Sequence, residues 1–172
     1  MGNHMAANLV KAGHKVIGFD LIPENLALAK EQGLTIAEDG QSAVKEAEIV
    51  ITILPAGKHV LSVYGEIAPW APKGALFIDS STIDVESARK AHAIARENGL
   101  LSVDAPVSGG TGGAAAGTLT FMAGGSKEAF ARAEPVLQPM AGRIVHCGED
   151  GAGQAAKICN NMILGISMIG VA

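Results

Sequence analysis

Apolar and polar positions along this chain switch repeatedly between two periods. Short apolar runs are followed by longer stretches with apolar residues three and four apart, the spacing of one helical face. Met1 to Ala12 carries Met5, Leu9 and Val10 at that spacing and is closed by Gly13, which predicts a helix. Lys15 to Asp20 reads as a short buried strand ending in a carboxylate, and Leu21 to Asn25 as a turn into a second helix that ends near Gln32 and Gly33. A weak strand at Thr35 to Ala37 and a short helix from Gln41 to Ala47 follow. Glu48 to Leu54 is a strong strand, stopped by Pro55. Next come a helix from Lys58 to about Ile67, a strand from Ala75 to Asp79, and a helix from Asp84 to Asn98. Asp84 suits the N-cap of that helix and Glu86 its first turn. Strands at Leu100 to Asp104 and Thr118 to Ala123, a helix from Lys127 to Val136 and a strand at Arg143 to His146 complete the alternation. A last helix runs from Gln154 into the apolar end of the chain. Strands alternating with helices predict an α/β fold with a mostly parallel sheet covered by helices on both faces.

The two ends depart from this pattern. A dinucleotide-binding α/β domain ordinarily opens on a strand and a G-x-G-x-x-G turn. Here Met1 and Gly2 lie inside the opening helix. The expectation is that the first strand and two fingerprint glycines are missing, with Gly2 as the third glycine. The missing strand belongs at the centre of the sheet, beside the strand ending at Asp20, where its loss leaves backbone groups without partners. The final helix has no stop signal. The chain is therefore expected to be a piece of a longer protein.

Composition narrows the class. Hydrophobic residues make up 48% and charged residues 17%, enough for a sizeable core. Aromatics are only 3% against 22 glycines, which suits close helix-on-sheet packing. A net charge of −4 without a basic patch argues against nucleic acid. Cys147 and Cys159 show neither metal-ligand spacing nor a disulfide framework, and a reducing compartment fits them. His4, His14, His59, His92 and His146 share no metal or triad spacing, so no metal is expected. No secretory signal is visible, and the apolar run from Met162 to Ala172 is too short to span a membrane.

Chemistry concentrates at GEDGAGQAAKICNN, Gly148 to Asn161. Gly148, Gly151 and Gly153 permit tight turns and close backbone approach before the helix. Lys157 and Asn161 stand four apart and share one helical face near the positive helix end, an arrangement suited to a small anionic substrate with a reactive oxygen. A surface lysine on a polar helix start explains the same residues. Asp20 ends a strand where such folds place an acid on the adenosine ribose, although a turn aspartate reads the same way. Leu54 and Pro55 end another strand at the ligand-binding edge, or merely terminate it. Asp79-Ser-Ser-Thr82 offers hydroxyls at the same edge, or a helix cap. In Asp104-Ala-Pro-Val-Ser-Gly-Gly110, Ser108 and the amides of Gly109 and Gly110 make a candidate carboxylate cradle. The small, flexible run Thr111 to Gly117 also reads as a glycine-rich turn between strands.

Four of these motifs, in order, resemble the β-hydroxyacid dehydrogenases: DSSTIDV at 79–85, DAPVSGG at 104–110, GTLTFMAGG at 117–125 and GAGQAAKICNNM at 151–162. The resemblance covers essentially the whole chain. It implies a Rossmann-like domain over residues 1–152, with 153–172 starting a long inter-domain helix into an all-helical domain, in a homodimer or homotetramer. It implies Lys157 as catalytic acid/base, with Ser108, Gly109, Gly110 and Asn161 at the substrate. It implies NAD as cofactor, held by Gly2, Asn3, Asp20, Leu54, Pro55, His59 and Thr82. The implied reaction is oxidation of 3-hydroxyisobutyrate to methylmalonate semialdehyde, a step of valine breakdown. Reduction of tartronate or succinic semialdehyde, a phospho-sugar dehydrogenase, and a nucleotide-binding fragment without turnover are the alternatives. The implied compartment is the cytoplasm for a bacterial source and the mitochondrion for a eukaryotic one.

Overall fold

The computed structural model describes residues 1–171. The elements are α1 (Gly2–Lys11), β1 (Ile17–Gly18), α2 (Pro23–Glu31), β2 (Thr35–Ile36), α3 (Gly40–Val44), β3 (Ile49–Thr52), α4 (Gly57–Ile67) and β4 (Leu76–Asp79). They continue with α5 (Val85–Glu97), β5 (Leu101–Asp104), β6 (Val107–Ser108), α6 (Gly110–Ala116), β7 (Leu119–Gly124), α7 (Lys127–Leu137), β8 (Ala141–Gly148) and α8 (Ala152–Gly170).

The strands form two sheets. β1 and β2 pair in parallel by themselves. The larger sheet has the order β3-β4-β5-β7-β6, with β8 also on β7. β3, β4 and β5 run parallel in register, so Thr52, Asp79 and Asp104 end adjacent strands at one level. β7 runs antiparallel to β5 and β6 and parallel to β8. The fold is the expected α/β arrangement, and β1 and β3 fall in separate sheets. The first turn of α1 packs at the end of β3: a Cβ on Gly2 would stand 3.0 Å from Ile53 Cγ2.

Strand alternation divides the core between the two faces of the sheet. Leu76 and Ile78 of β4 join Met5 and Leu9 of α1 and Ala129, Ala133 and Leu137 of α7. Phe77, between them, points into the opposite cluster with Val60, Tyr64 and Ile67 of α4 and Ala88, Ala91 and Ala95 of α5. The Tyr64 and Phe77 rings meet edge to face with centroids 5.1 Å apart. Small alanines on α5 and α7 let the helices lie close to the sheet, as the low aromatic content suggested.

Several boundaries differ from the sequence pattern. The strand expected at Lys15 to Asp20 shrinks to Ile17–Gly18, because β2 alone pairs with it and Ile17 and Phe19 stay exposed. Asp20 therefore sits beyond the strand, in the turn before α2. The run Thr111 to Gly117 is a helix, α6, not a turn. Gly109 at φ +132° and Gly110 at φ +63° swing the chain into it, and Asn8 Nδ2 donates to Ala114 O at 2.8 Å to hold it against α1. Val107–Ser108 forms an additional short strand, and the last strand extends over Ala141–Gly148. Asp84 caps α5 as expected, its carboxylate accepting from Ser87 N at 2.7 Å.

Candidate active site

The first turn of α8 rests directly on β5 and β7, and glycines make that approach possible. Gly151 takes φ +84° to turn the chain into the helix. A Cβ on Gly153 would fall on the carbonyl oxygens of Met122 and Asp104. Buried Asp104 anchors this turn: Oδ1 accepts from Gly151 N at 2.8 Å and Oδ2 from Gln154 N at 2.9 Å. His92 lies on the other side of the carboxylate, with Nε2 3.0 Å from Oδ1 and Nδ1 2.5 Å from Ser102 Oγ. The carboxylate stands where amide groups would otherwise lack partners and where the helix dipole favours negative charge.

One turn further, Lys157 faces inward and is only 9% exposed. Its Nζ donates to Val107 O at 2.7 Å. Burial holds its pKa below that of an ordinary lysine, because the charged form loses solvation. Asn161 follows one turn later on the same side, exposed, its Oδ1 accepting from Asn160 Nδ2 at 3.3 Å.

Lys157 and Asn161 form one wall of a cleft of about 550 Å³. Leu54 and Pro55 after β3, and Ser80, Ser81 and Thr82 after β4, form another. Ser108 at the end of β6, Gly109, and Gly110 at the start of α6 close a third side. The cleft thus opens at the carboxyl ends of β3 and β4, the ligand-binding edge of open α/β sheets. It brings together Leu54, Pro55, Thr82, Ser108, Gly109, Gly110, Lys157 and Asn161.

The other expected site residues lie outside it. Asp20 accepts from Ile22 N through Oδ1 and from Asn25 Nδ2 through Oδ2, both at 2.9 Å. Asn3 Nδ2 donates to Asn25 O at 3.3 Å, and Gly2 packs against Ile53. His59 is exposed in the first turn of α4, outside the cleft lining.

Behind the walls runs a buried polar network that sequence reasoning missed. Asp79 Oδ1 accepts from Thr52 Oγ1 at 2.8 Å, from Ser81 Oγ at 2.5 Å and from Ser81 N at 3.2 Å. Ser81 Oγ in turn accepts from Leu54 N at 2.8 Å. Gln154 Nε2 donates to Ser81 O at 2.7 Å, and its Oε1 accepts from Ile83 N at 3.2 Å. The visible signal was a glutamine three residues before Lys157, on the buried side of the same helix. Ser80 Oγ is buried at the cleft without a partner among the described residues. No cluster of three or more His, Cys, Asp or Glu residues able to hold a metal occurs among the described residues. None of the described helices is long and apolar enough to cross a membrane.

Known proteins resemble this chain in sequence and in fold. The 3-hydroxyisobutyrate dehydrogenase of Pseudomonas aeruginosa is 54% identical over 176 residues, covering 100% of this chain and 59% of the relative. The NAD-dependent L-serine dehydrogenase of the same organism is 50% identical, with 100% and 59% covered. The solved structure of Mycobacterium tuberculosis 3-hydroxyisobutyrate dehydrogenase with L-serine superposes with a TM-score of 0.98 at 52% identity, covering 99% of this chain and 59% of that one. The chain thus spans about three-fifths of the length of these relatives. Residues 1–148 match the family described as the NAD binding domain of 6-phosphogluconate dehydrogenase, and this chain belongs to that family.

Proposed function

We propose that this chain supplies the cofactor-binding domain and the catalytic lysine of an NAD-dependent dehydrogenase that oxidises a small 3-hydroxy acid, with 3-hydroxyisobutyrate as the first substrate. The observation that carries the reading is a desolvated lysine, Lys157, in the same cleft as Thr82 and the Ser108–Gly110 turn.

The cleft suits a dinucleotide. It lies at the strand ends between the Leu54–Pro55 and Ser80–Thr82 segments, and buried Ser80 Oγ has no partner among the described residues. On this reading Leu54, Pro55 and Thr82 hold the nicotinamide end of NAD in the cleft, and Gly2, Asn3 and His59, outside the cleft lining, hold the parts that extend beyond it. The Asp20 carboxylate, its orientation fixed by Ile22 N and Asn25 Nδ2, takes the ribose hydroxyls and repels the extra phosphate of NADP. Bound NAD supplies the acceptor for the hydride that leaves the carbinol carbon.

The remaining work belongs to the chain. Ser108 and the Gly109 and Gly110 backbone bind the substrate carboxylate. Neutral Lys157 takes the hydroxyl proton as the carbonyl forms, and returns it in the reverse direction. Its lowered pKa keeps more of the amine unprotonated near neutral pH. Asn161 orients substrate and lysine. On the same reading residues 1–152 form the cofactor domain, α8 opens a helical second unit, and the enzyme assembles as two or four copies; the greater length of the relatives leaves room for that unit. Relatives include bacterial and mitochondrial enzymes, so the compartment follows the source: cytoplasm or mitochondrion.

L-serine is also a 3-hydroxy acid, and the L-serine dehydrogenase relative makes it the second substrate to assay. The test follows NADH absorbance when the intact enzyme meets NAD and each 3-hydroxy acid in turn. Reduction with 3-hydroxyisobutyrate and none with NADP is the expected result. No NADH from any 3-hydroxy acid overturns the proposal.

A further inference from the structure

Gln154 is fully buried, with 0% exposure, in the first turn of α8. Its carboxamide accepts from Ile83 N at 3.2 Å and donates to Ser81 O at 2.7 Å. Those two groups belong to residues i and i+2 of the segment that follows β4, so the amide clips the backbone on both sides of Thr82. One partner is a donor and the other an acceptor, which fixes the orientation of the amide. Thr82, the residue between them, is exposed and lines the cleft.

The connection continues in both directions. Toward one wall, Ser81 Oγ accepts from Leu54 N at 2.8 Å, tying in the Leu54–Pro55 segment. Toward the other, Gln154 N donates to Asp104 Oδ2 at 2.9 Å, and Lys157 stands one helical turn along. A buried leucine or methionine would fill the same space without the desolvation cost of an amide. What the amide adds is register between the 81–83 segment and α8.

We infer that Gln154 is a positioning residue: its carboxamide bolts the Ser81–Ile83 wall of the cleft to the helix that carries Lys157, and so sets the lysine's place relative to the cofactor side. The inference rests on the reading of Lys157 as the proton-transferring group. It predicts that loosening the bolt harms proton and hydride transfer more than ligand binding, and lets water reach the lysine.

The test compares intact wild-type enzyme with Gln154→Met and Gln154→Glu. For Gln154→Met, kcat should fall about 10- to 100-fold while KM for the hydroxy acid and Kd for NAD stay within about threefold, the pattern of lost transition-state interactions. The pH dependence of Lys157 labelling by an amine-reactive reagent, followed by mass spectrometry without substrates, should move up toward that of an ordinary lysine. A lower Tm with unchanged kcat and an unchanged labelling profile overturns the inference. Should Gln154→Met fail to fold, Gln154→Glu decides: its neutral carboxyl still donates to Ser81 O, so its rate relative to wild type should fall as pH rises. A ratio independent of pH overturns it. If wild type turns over no hydroxy acid, the functional reading falls, and the labelling profiles alone still decide whether Gln154 places the lysine.

Discussion

Lys157 Nζ donates to the Val107 carbonyl oxygen across 2.7 Å, joining the first half of α8 to the short strand that leads into Ser108 and Gly109. Among the described residues that carbonyl is the ammonium's one acceptor, in a cleft where the lysine is only 9% exposed. A lysine so placed either packs the wall or moves protons, and pH separates the two. Lys157→Met should lower kcat by about 10²- to 10⁴-fold, the usual yield of general acid–base catalysis, with NAD affinity nearly unchanged. For wild type, kcat/KM for oxidation should rise with pH through the lowered pKa of the amine, because only the neutral form accepts a proton. Lys157→Arg, whose charge persists to about pH 12 and above, should lose that rise. Steady-state profiles of the three proteins check all of this; full turnover by Lys157→Met would remove the lysine from the chemistry.

Asp104 accepts from two backbone donors at once, Gly151 N and Gln154 N, with His92 Nε2 3.0 Å from its Oδ1. Truncating it strands two amides at the buried start of α8. Each unpaired buried group costs about 1–3 kcal/mol, so Asp104→Ala should lose about 2–6 kcal/mol in chemical denaturation. Amide exchange at residues 151–154 should quicken more than in the β4 core. A loss below about 0.5 kcal/mol, the range of neutral surface changes, would mean that the helix start holds without its anchor.

Two glycines of α8 should respond oppositely to the same change. At Gly153 an added methyl falls on the Met122 and Asp104 carbonyl oxygens, so Gly153→Ala must push the helix off the sheet. At Gly165 nothing among the described residues lies within 4 Å of the new Cβ outside the helix's own backbone, and the position is helical. Gly165→Ala should stabilise by about 0.5–1 kcal/mol through helix propensity and unfolded-state entropy. Gly153→Ala should lower Tm by several degrees and carry activity down with it. Equal effects at both positions would contradict the close seat of α8.

The residues that show how much the sequence could tell are those around this seat. Lys157 and Asn161 were legible from helical spacing, and Leu54, Pro55 and Thr82 from their places just after apolar strands. All five line the cleft. The α6 helix was not legible, because glycine and alanine carry no apolar period; it depends on the Gly109–Gly110 turn and on Asn8 reaching Ala114 O. β6 was not legible either, since two residues after a proline carry no strand signal until β7 pairs with them. Gln154 and Asp104 were visible as letters only. Their partners on other elements of the site are 47 to 73 positions away, so the network emerges only when β4, β5 and α8 converge.

Asp79 offers a pH test of that network. Burial pushes its carboxyl pKa up; hydrogen bonds from Ser81 and Thr52 partly offset this, and Asp104 adds to the rise. Oδ1 receives those hydrogen bonds, while Oδ2 is buried without a partner among the described residues. A group whose folded pKa exceeds its unfolded value contributes stability that is fully present below the unfolded pKa, here 3.8. That stability is lost as pH rises through the raised folded value. Wild type should therefore weaken from about pH 4 upward on account of this group, with no further loss once the carboxyl is ionised in the fold. Asp79→Asn keeps an oxygen for Thr52 and Ser81 and does not titrate. The stability of the variant relative to wild type should increase across that interval and then level off, as read from denaturation midpoints at a series of pH values. A difference that stays flat from pH 3 to 7 would show that the Asp79 carboxyl titrates alike in the folded and unfolded chain.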